Sequence, residues 1–202
     1  MSEPVRLRQR KLIAENSRFH IYFDDVEDQF GRRVEDFLSV TPKGIDAERL
    51  GGVAVLPVHE GKIGLMRTYR HTLGRWGYEI VKGFSEPGED PIAAARREYE
   101  EEARLSASAA IWVPLGAAAP DSSIIEAIVL LYAAIGAEVP ARPSSTDDLG
   151  APELEWLDWS KILEMTADGD LIDAVSLVCL FRAAHKIGPW SDSWRKISNP
   201  GA

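Results

Sequence analysis

The sequence predicts an α+β domain preceded by a small antiparallel β segment. Three observations carry this reading: strand-length apolar runs separated by turn signals, one strongly capped helix among them, and helical periodicity near the end. Phe19 to Phe23 and Val34 to Val40 read as strands, with Asp28-Gln29-Phe30-Gly31 as the turn between them. Polar Thr41 to Arg49 leads to Gly51 to Val58 and Lys62 to Tyr69, a hairpin closed at His59-Glu60-Gly61. Trp76 to Val81 is a shorter strand before the Gly/Pro-rich loop Gly83 to Gly88. Asp90 then sits as N-cap and Pro91 as first residue of a helix running through Ala93-Ala94-Ala95-Arg96-Arg97-Glu98.

Ala110 to Gly116 and Glu126 to Ile135 read as two further strands. The stretch Pro140 to Pro152 reads as a polar loop, and Leu154 to Trp159 as the last strand. Ser160 caps a short helix that Gly169 ends, and Ile172 to His185 makes an amphipathic helix. Three segments follow: residues 1–48, the N-terminal β segment; 49–188, the main domain; and 189–202, a tail whose Trp190 and Trp194 read as terminal packing.

Length and charge narrow the function. With 202 residues, 45% hydrophobic, the chain can bury a real core. A balance of 23 Lys+Arg against 32 Asp+Glu, net -9, disfavours a nucleic-acid backbone as partner. The lone Cys179, set among Leu177, Val178, Leu180 and Phe181, reads as a core thiol in a reducing compartment. Residues 1–10 lack the apolar stretch of a signal peptide, and the longest apolar run, Ala127 to Ile135, is too short to span a membrane. The expectation is a soluble cytoplasmic protein. His20, His59, His71 and His185 are scattered without ligand spacing.

Chemistry concentrates in the first helix. Glu98, Glu101 and Glu102 stand at i, i+3 and i+4 and share one face, beside a packing stripe of Ile92, Ala95, Tyr99 and Ala103. Glu100 falls on the far side and reads as solvated. Three carboxylates on one face repel; a divalent cation reverses that sign, and an all-oxygen set selects Mg²⁺ or Mn²⁺. A charged face alone is common, so the wider spacing decides. Gly83, five residues, Glu89, seven residues, then Arg97-Glu98-Tyr99-Glu100-Glu101-Glu102-Ala103-Arg104-Leu105 resembles the Nudix box. Six invariant-type positions match, against odds on the order of one in a hundred thousand at average residue frequencies. Two positions depart: Tyr99 is a loose fit to a bulky apolar site, and Arg104 replaces a glycine that ends the helix.

The resemblance implies a Nudix α/β/α sandwich with a mixed sheet, and hydrolysis of a nucleoside diphosphate linked to another group with Mg²⁺ or Mn²⁺. It makes Glu98 and Glu102 the main metal ligands, Glu101 a third ligand or holder of water, and the main-chain carbonyl near Lys82 and Gly83 a completing donor. It pairs Arg97 with Glu89. The strand Arg67-Thr68-Tyr69-Arg70, then Tyr78-Glu79, the segment Lys82 to Glu89 and Pro120 is similar to the ADP-ribose pyrophosphatase and ADP-compounds hydrolase branch. Arg70 and Arg67 become candidates for the diphosphate because guanidinium forks match phosphate oxygens. Their odd spacing points them to opposite faces of a strand, which favours Arg70.

The branch often draws its general base from beyond the box, and four acids are candidates. Glu126 stands among Ile124, Ile125, Ala127 and Ile128, where an isolated carboxylate is costly; Asp147, Asp148 and Glu153 lie in the polar loop. Branch members are commonly homodimers whose N-terminal β segments complete the partner's adenine pocket, for which Phe19, Tyr22, Phe23 and Phe30 are suited. The expected reaction is cleavage of ADP-ribose or a related ADP compound to AMP and a phosphorylated remainder. Other nucleotide substrates, and a weakened nucleotide-binding module suggested by Arg104, are the alternatives.

Overall fold

The computed structural model describes residues 3–45, 47–136 and 152–188. Two compact units divide them: Met1–Gly51 with Ala119–Ile128, and Gly52–Ala118 with the chain from Val129 on. The expected polar loop, including Asp147 and Asp148, and the tail with Trp190 and Trp194 lie outside the described residues, apart from Pro152.

In the first unit, β1 (Val5–Glu15), β2 (Phe19–Asp28) and β3 (Arg33–Pro42) form an antiparallel sheet in that order. The sequence reading misses β1 because four of its residues are Arg or Lys and none is buried. Partners across the strands account for it: Arg6 and Arg8 pair with Glu27, and Arg10 with Asp24. Arg33 in β3 pairs with Asp25 of β2. A parallel bridge joins Val40 to Ile125, with Val40 N donating to Ile124 O and Glu126 N to Val40 O. This pairing holds Glu126 in the 119–128 segment, two residues ahead of the strand it was expected to begin.

The second unit is built on a mixed sheet of seven strands. Its strands are β4 (Leu50–His59), β5 (Lys62–Arg70), β6 (Arg75–Glu79), β7 (Val81–Phe84), β8 (Ile111–Ala118), β9 (Ile128–Ile135) and β10 (Glu153–Asp158). The main path runs β10-β5-β4-β9-β8, with β6 beside β5 and β7 beside β4. Glu60 and Gly61, both at positive φ, close the β4–β5 hairpin in two residues. Residues 51–58 of β4 are buried throughout, and their alternation serves two cores. Val53 and Val55 join Met66, Val81 and Ala134 under α1 (Pro91–Glu102), which contributes Ala94, Ala95 and Tyr99. Ala54, Leu56 and Val58 join Ile63, Leu65 and Leu131 under α2 (Trp159–Ala167) and α3 (Ala174–Lys186). One helix on one face and two on the other make the three-layer sandwich. Cys179 is fully buried in the second core, where desolvation pushes its thiol up to about 12 and keeps it inert.

Three of the boundaries that differ from expectation have a visible cause. The single strand 76–81 is two, because Ile80 N donates to Ser176 Oγ on α3 instead of to a neighbouring strand. The loop expected from Gly83 begins later, since Gly83 and Phe84 pair with Val53 and Gly52. Helix α2 begins at Trp159 after Asp158, which makes no side-chain cap bond, so Ser160 is not its cap.

Candidate functional site

Helix α1 starts where its chemistry dictates. Asp90 Oδ1 accepts from Ile92 N at 3.0 Å and Ala93 N at 3.3 Å, and Pro91 occupies the first turn. Its apolar stripe lies on the sheet, which turns Glu98 and Glu102 toward β7. Gly83 permits the closest approach: a Cβ there would stand 1.8 Å from the Glu98 carboxyl carbon. Glu102 Oε2 accepts from Lys82 N at 3.1 Å. One box carboxylate therefore rests against Gly83 and another against the main chain of Lys82.

Arg97 organises the rest. Its Nε and Nη2 fork onto Glu89 at 3.0 Å each, Nη1 reaches Glu98 at 2.6 Å and Glu101 at 3.2 Å, and Nη2 also donates to Phe84 O. Glu89 Oε2 accepts from Glu86 N at 2.9 Å, so the 84–89 loop is tied to the helix from both ends. Burial raises the carboxyl pKa of Glu98, opposed by Arg97 and reinforced by the charges of Glu101 and Glu89. Arg97 holds Glu89 below the usual carboxylate range. Glu101 is exposed. Glu100, expected to be merely solvated, accepts from Ala107 N at 3.0 Å and ties down the chain after the helix.

Among the described residues no three His, Cys, Asp or Glu side chains form a ready cation cluster. The donor set nonetheless suits a hard cation. Glu89, Glu98 and Glu101 share Arg97 as their close guanidinium, Glu102 follows on Lys82 N, all donors are oxygens, and Gly83 leaves Glu98 against the strand backbone.

Beside Glu102 lies a cavity of about 220 Å³, lined by Met66, Thr68, Arg70, Glu79, Ile80 and Pro152 as well. Arg70 forks onto the buried Glu79, Nε to Oε1 at 2.8 Å and Nη2 to Oε2. Lys82 Nζ reaches the same Oε2 at 2.8 Å and Asp173 Oδ1 at 2.7 Å. Burial alone would raise the Glu79 and Asp173 carboxyls; these cations, with Ser176 at Asp173, outweigh it and hold both below their ordinary values. Arg67 turns to the other face of β5, its guanidinium 4.6 Å from the Trp76 ring centroid. The Lys82 ammonium, Glu79 and Asp173 escape the sequence reading as a group, because Asp173 is 91 residues from Lys82.

The remaining base candidates are placed elsewhere. Glu153 is exposed at the head of β10, opposite Arg67. Glu126 belongs to the first unit, where Arg10 Nη2 reaches it at 2.6 Å, Thr41 Oγ1 donates at 2.9 Å and Arg49 stands at 3.3 Å. These partners compensate the apolar setting that singled it out. The Arg10 hydrogen bond leads, against desolvation, in pulling its carboxyl from 4.5 to about 2. With Asp24 and Arg10 it lines a cavity of about 510 Å³ in that unit. Arg104 adopts φ 57° just past α1, the left-handed geometry a glycine would hold without strain.

With this geometry in view, a family model described as NUDIX domain matches residues 48–176. An ADP-ribose pyrophosphatase of Mycobacterium tuberculosis (strain ATCC 25618 / H37Rv) is 26% identical over 142 residues, covering 69% of this chain and 67% of its own. A methanol dehydrogenase activator of Bacillus methanolicus is 28% identical over 131 residues, 64% of this chain and 70% of its own. A crystal structure of an ADP compounds hydrolase superposes with a TM-score of 0.73 at 17% identity, covering 91% of this chain and 94% of that one, a likeness of fold.

Proposed function

The chain belongs to the Nudix family, and on that premise we propose that it hydrolyses the diphosphate of ADP-ribose or a related ADP-linked compound to AMP and a phosphorylated remainder. The observation that carries this reading is the α1 carboxylate face, organised by Arg97 and packed on Gly83, beside a cavity that holds Arg70. The ADP-ribose pyrophosphatase relative supports the substrate class.

Glu98 and Glu102 would be the main ligands for Mg²⁺ or Mn²⁺, with Glu101 a third ligand or holder of water and a main-chain carbonyl near Lys82 and Gly83 completing the set. The cation supplies neutralisation of the diphosphate and a lower pKa for the attacking water. Arg97 keeps Glu98 and Glu101 oriented while its other edge stays on Glu89. Arg70 offers phosphate oxygens the guanidinium edge that Glu79 leaves open, and Arg67 on the opposite face braces Trp76. Glu126, one of the four base candidates read from sequence, is better suited to anchoring Arg10 and Arg49, which with Thr41 occupy its carboxylate and hold it below the usual range.

No helix among the described residues is long and apolar enough to cross a membrane, and a cytoplasmic homodimer is part of the proposal. Val5, Leu7, Leu12 and Phe37 are exposed on one face of the N-terminal sheet and Phe23 and Leu38 on the other, apolar area that a partner could cover. Light scattering at micromolar concentration tests the dimer; a monomer contradicts it. The function is tested by incubating ADP-ribose, ADP-sugars, GDP-mannose, NADH, dinucleoside polyphosphates and nucleoside triphosphates with Mg²⁺ or Mn²⁺ and identifying products. AMP from ADP-linked compounds is expected; turnover confined to guanosine compounds or triphosphates overturns the substrate class.

A further inference from the structure

Lys82 does two things in one place. Its main-chain N–H donates to Glu102 Oε2 at 3.1 Å, and its ammonium lies between two carboxylates, 2.8 Å from Glu79 and 2.7 Å from Asp173. Glu79 is among the few buried charged residues, its side chain only 8% exposed, and its other cation is Arg70. Asp173 is fixed in turn: its Oδ2 accepts from Ser176 N at 2.9 Å and Ser176 Oγ at 2.6 Å, capping α3. Ser176, wholly buried, also accepts Ile80 N at 3.0 Å. A continuous chain therefore runs from the α3 N-terminus through Asp173, Lys82 and Glu79 to Arg70 at the cavity beside Glu102. It balances two cations with two carboxylates, and every link is a charge-assisted hydrogen bond of ordinary length or shorter.

Arg70 by itself is half exposed, and a long side chain at a cavity edge samples many rotamers. The free edge of its guanidinium is aimed only as well as Glu79 is held. Arg70 takes one edge of Glu79, through Nε on Oε1 and Nη2 on Oε2, and Lys82 meets Oε2 from the side that Asp173 anchors. Without the Lys82 ammonium, Glu79 keeps a single cation and is free to swing with Arg70.

We infer that Lys82 is a positioning residue whose ammonium, locked by Asp173, holds Glu79 so that Arg70, gripped along its Nε–Nη2 edge, presents its outer Nη1 edge to the substrate diphosphate. It touches no substrate itself; its effect passes through Arg70. This inference rests on the functional reading above, in which Arg70 is a diphosphate contact.

The test is a double-mutant cycle with Lys82→Met and Arg70→Ala, read as KM and kcat for ADP-ribose and as calorimetric affinity for ADP-ribose in chelator. Lys82→Met alone raises KM about tenfold and leaves kcat within about threefold, as loss of uniform binding does. In the Arg70→Ala background it adds less than twofold, because its target is gone. Lys82→Arg, which keeps a cation between the two carboxylates, recovers most of the affinity, and Asp173→Asn shifts KM in the same direction by about threefold. If Lys82→Met does not fold, Glu79→Gln/Lys82→Met removes both charges together and is expected to show the same KM-specific defect. Turnover by the wild-type protein with additive effects in the cycle, or a Lys82→Met loss confined to kcat, overturns this inference alone. Absence of both turnover and binding of ADP-ribose by the wild-type protein overturns it together with the proposed function.

Discussion

Two arginines in this protein each gather several carboxylates, and the two clusters are built to opposite balances. In the N-terminal unit Arg10 bridges Asp24 and Glu126 while Arg49 adds a second cation, so two negative charges meet two positive ones. Glu126 is accordingly pulled down to about 2. On α1, Arg97 alone meets Glu89, Glu98 and Glu101, with Glu102 one turn away on Lys82 N. There Glu98 goes the other way, raised by burial against the pull of its arginine. Similar residue types thus give a balanced ion-pair network in one unit and, in the other, three carboxylates gathered on one arginine. A folded domain tolerates a standing charge excess where a ligand relieves it, and perturbed carboxylates in such settings mark function.

The comparison breaks most sharply at Glu102. Glu102→Gln should lower kcat by about 10²–10³-fold, since the charge stabilisation it helps supply amounts to several kcal/mol, while the thermal midpoint stays within a few degrees. A variant with wild-type turnover removes Glu102 from the site. Next comes Gly83→Ala. The added methyl would sit 1.8 Å from the Glu98 carboxyl carbon, displacing a side-chain end and not backbone. The fold should survive and kcat fall by about 10–100-fold, as for an ångström-scale misplacement; unchanged rates would show that the packing of Glu98 on Gly83 is idle.

In the balanced cluster the effect should be on stability. Glu126→Gln is expected to cost about 1–2 kcal/mol, discounted for partial exposure, and to leave kcat within tenfold; a loss of a hundredfold with the fold intact would restore Glu126 as the base. Its sign with pH is set by the depressed pKa. The contribution is full above about 4.5, the ordinary value, and fades as pH falls toward about 2. Acid titrations of wild type and Glu126→Gln should therefore converge over that window. The smallest expected change is Arg104→Gly, which relieves a left-handed residue at φ 57° and should raise stability by about 0.5–1 kcal/mol without altering turnover.

How much of this was legible follows the range of each interaction. Local signals did well: Asp90 and Pro91 start α1, Glu60-Gly61 closes the hairpin, and the i, i+3, i+4 acids share a face. The missing glycine at Arg104 implies a strained turn or a slightly longer helix, and φ 57° with α1 ending at Glu102 is the former. What failed depends on distant partners. β1 looks polar until Glu27 and Asp24 are set across from its arginines. Glu126 looks unsupported until Arg10, 116 residues away, is beside it. The break at Ile80 needs Ser176, 96 residues on, and the Lys82–Asp173 link spans the sheet and α3. No window of local sequence contains those pairs.

The central claim is that the charge excess on α1 is a catalytic cation site for an ADP-linked diphosphate. The most direct measurement is the rate of AMP release from ADP-ribose by the wild-type protein, with Mg²⁺ or Mn²⁺ and then with excess chelator. AMP and ribose phosphate in equal amounts, formed with the cation and abolished by chelation, is the predicted result; undiminished release in chelator, or none with either cation, contradicts it.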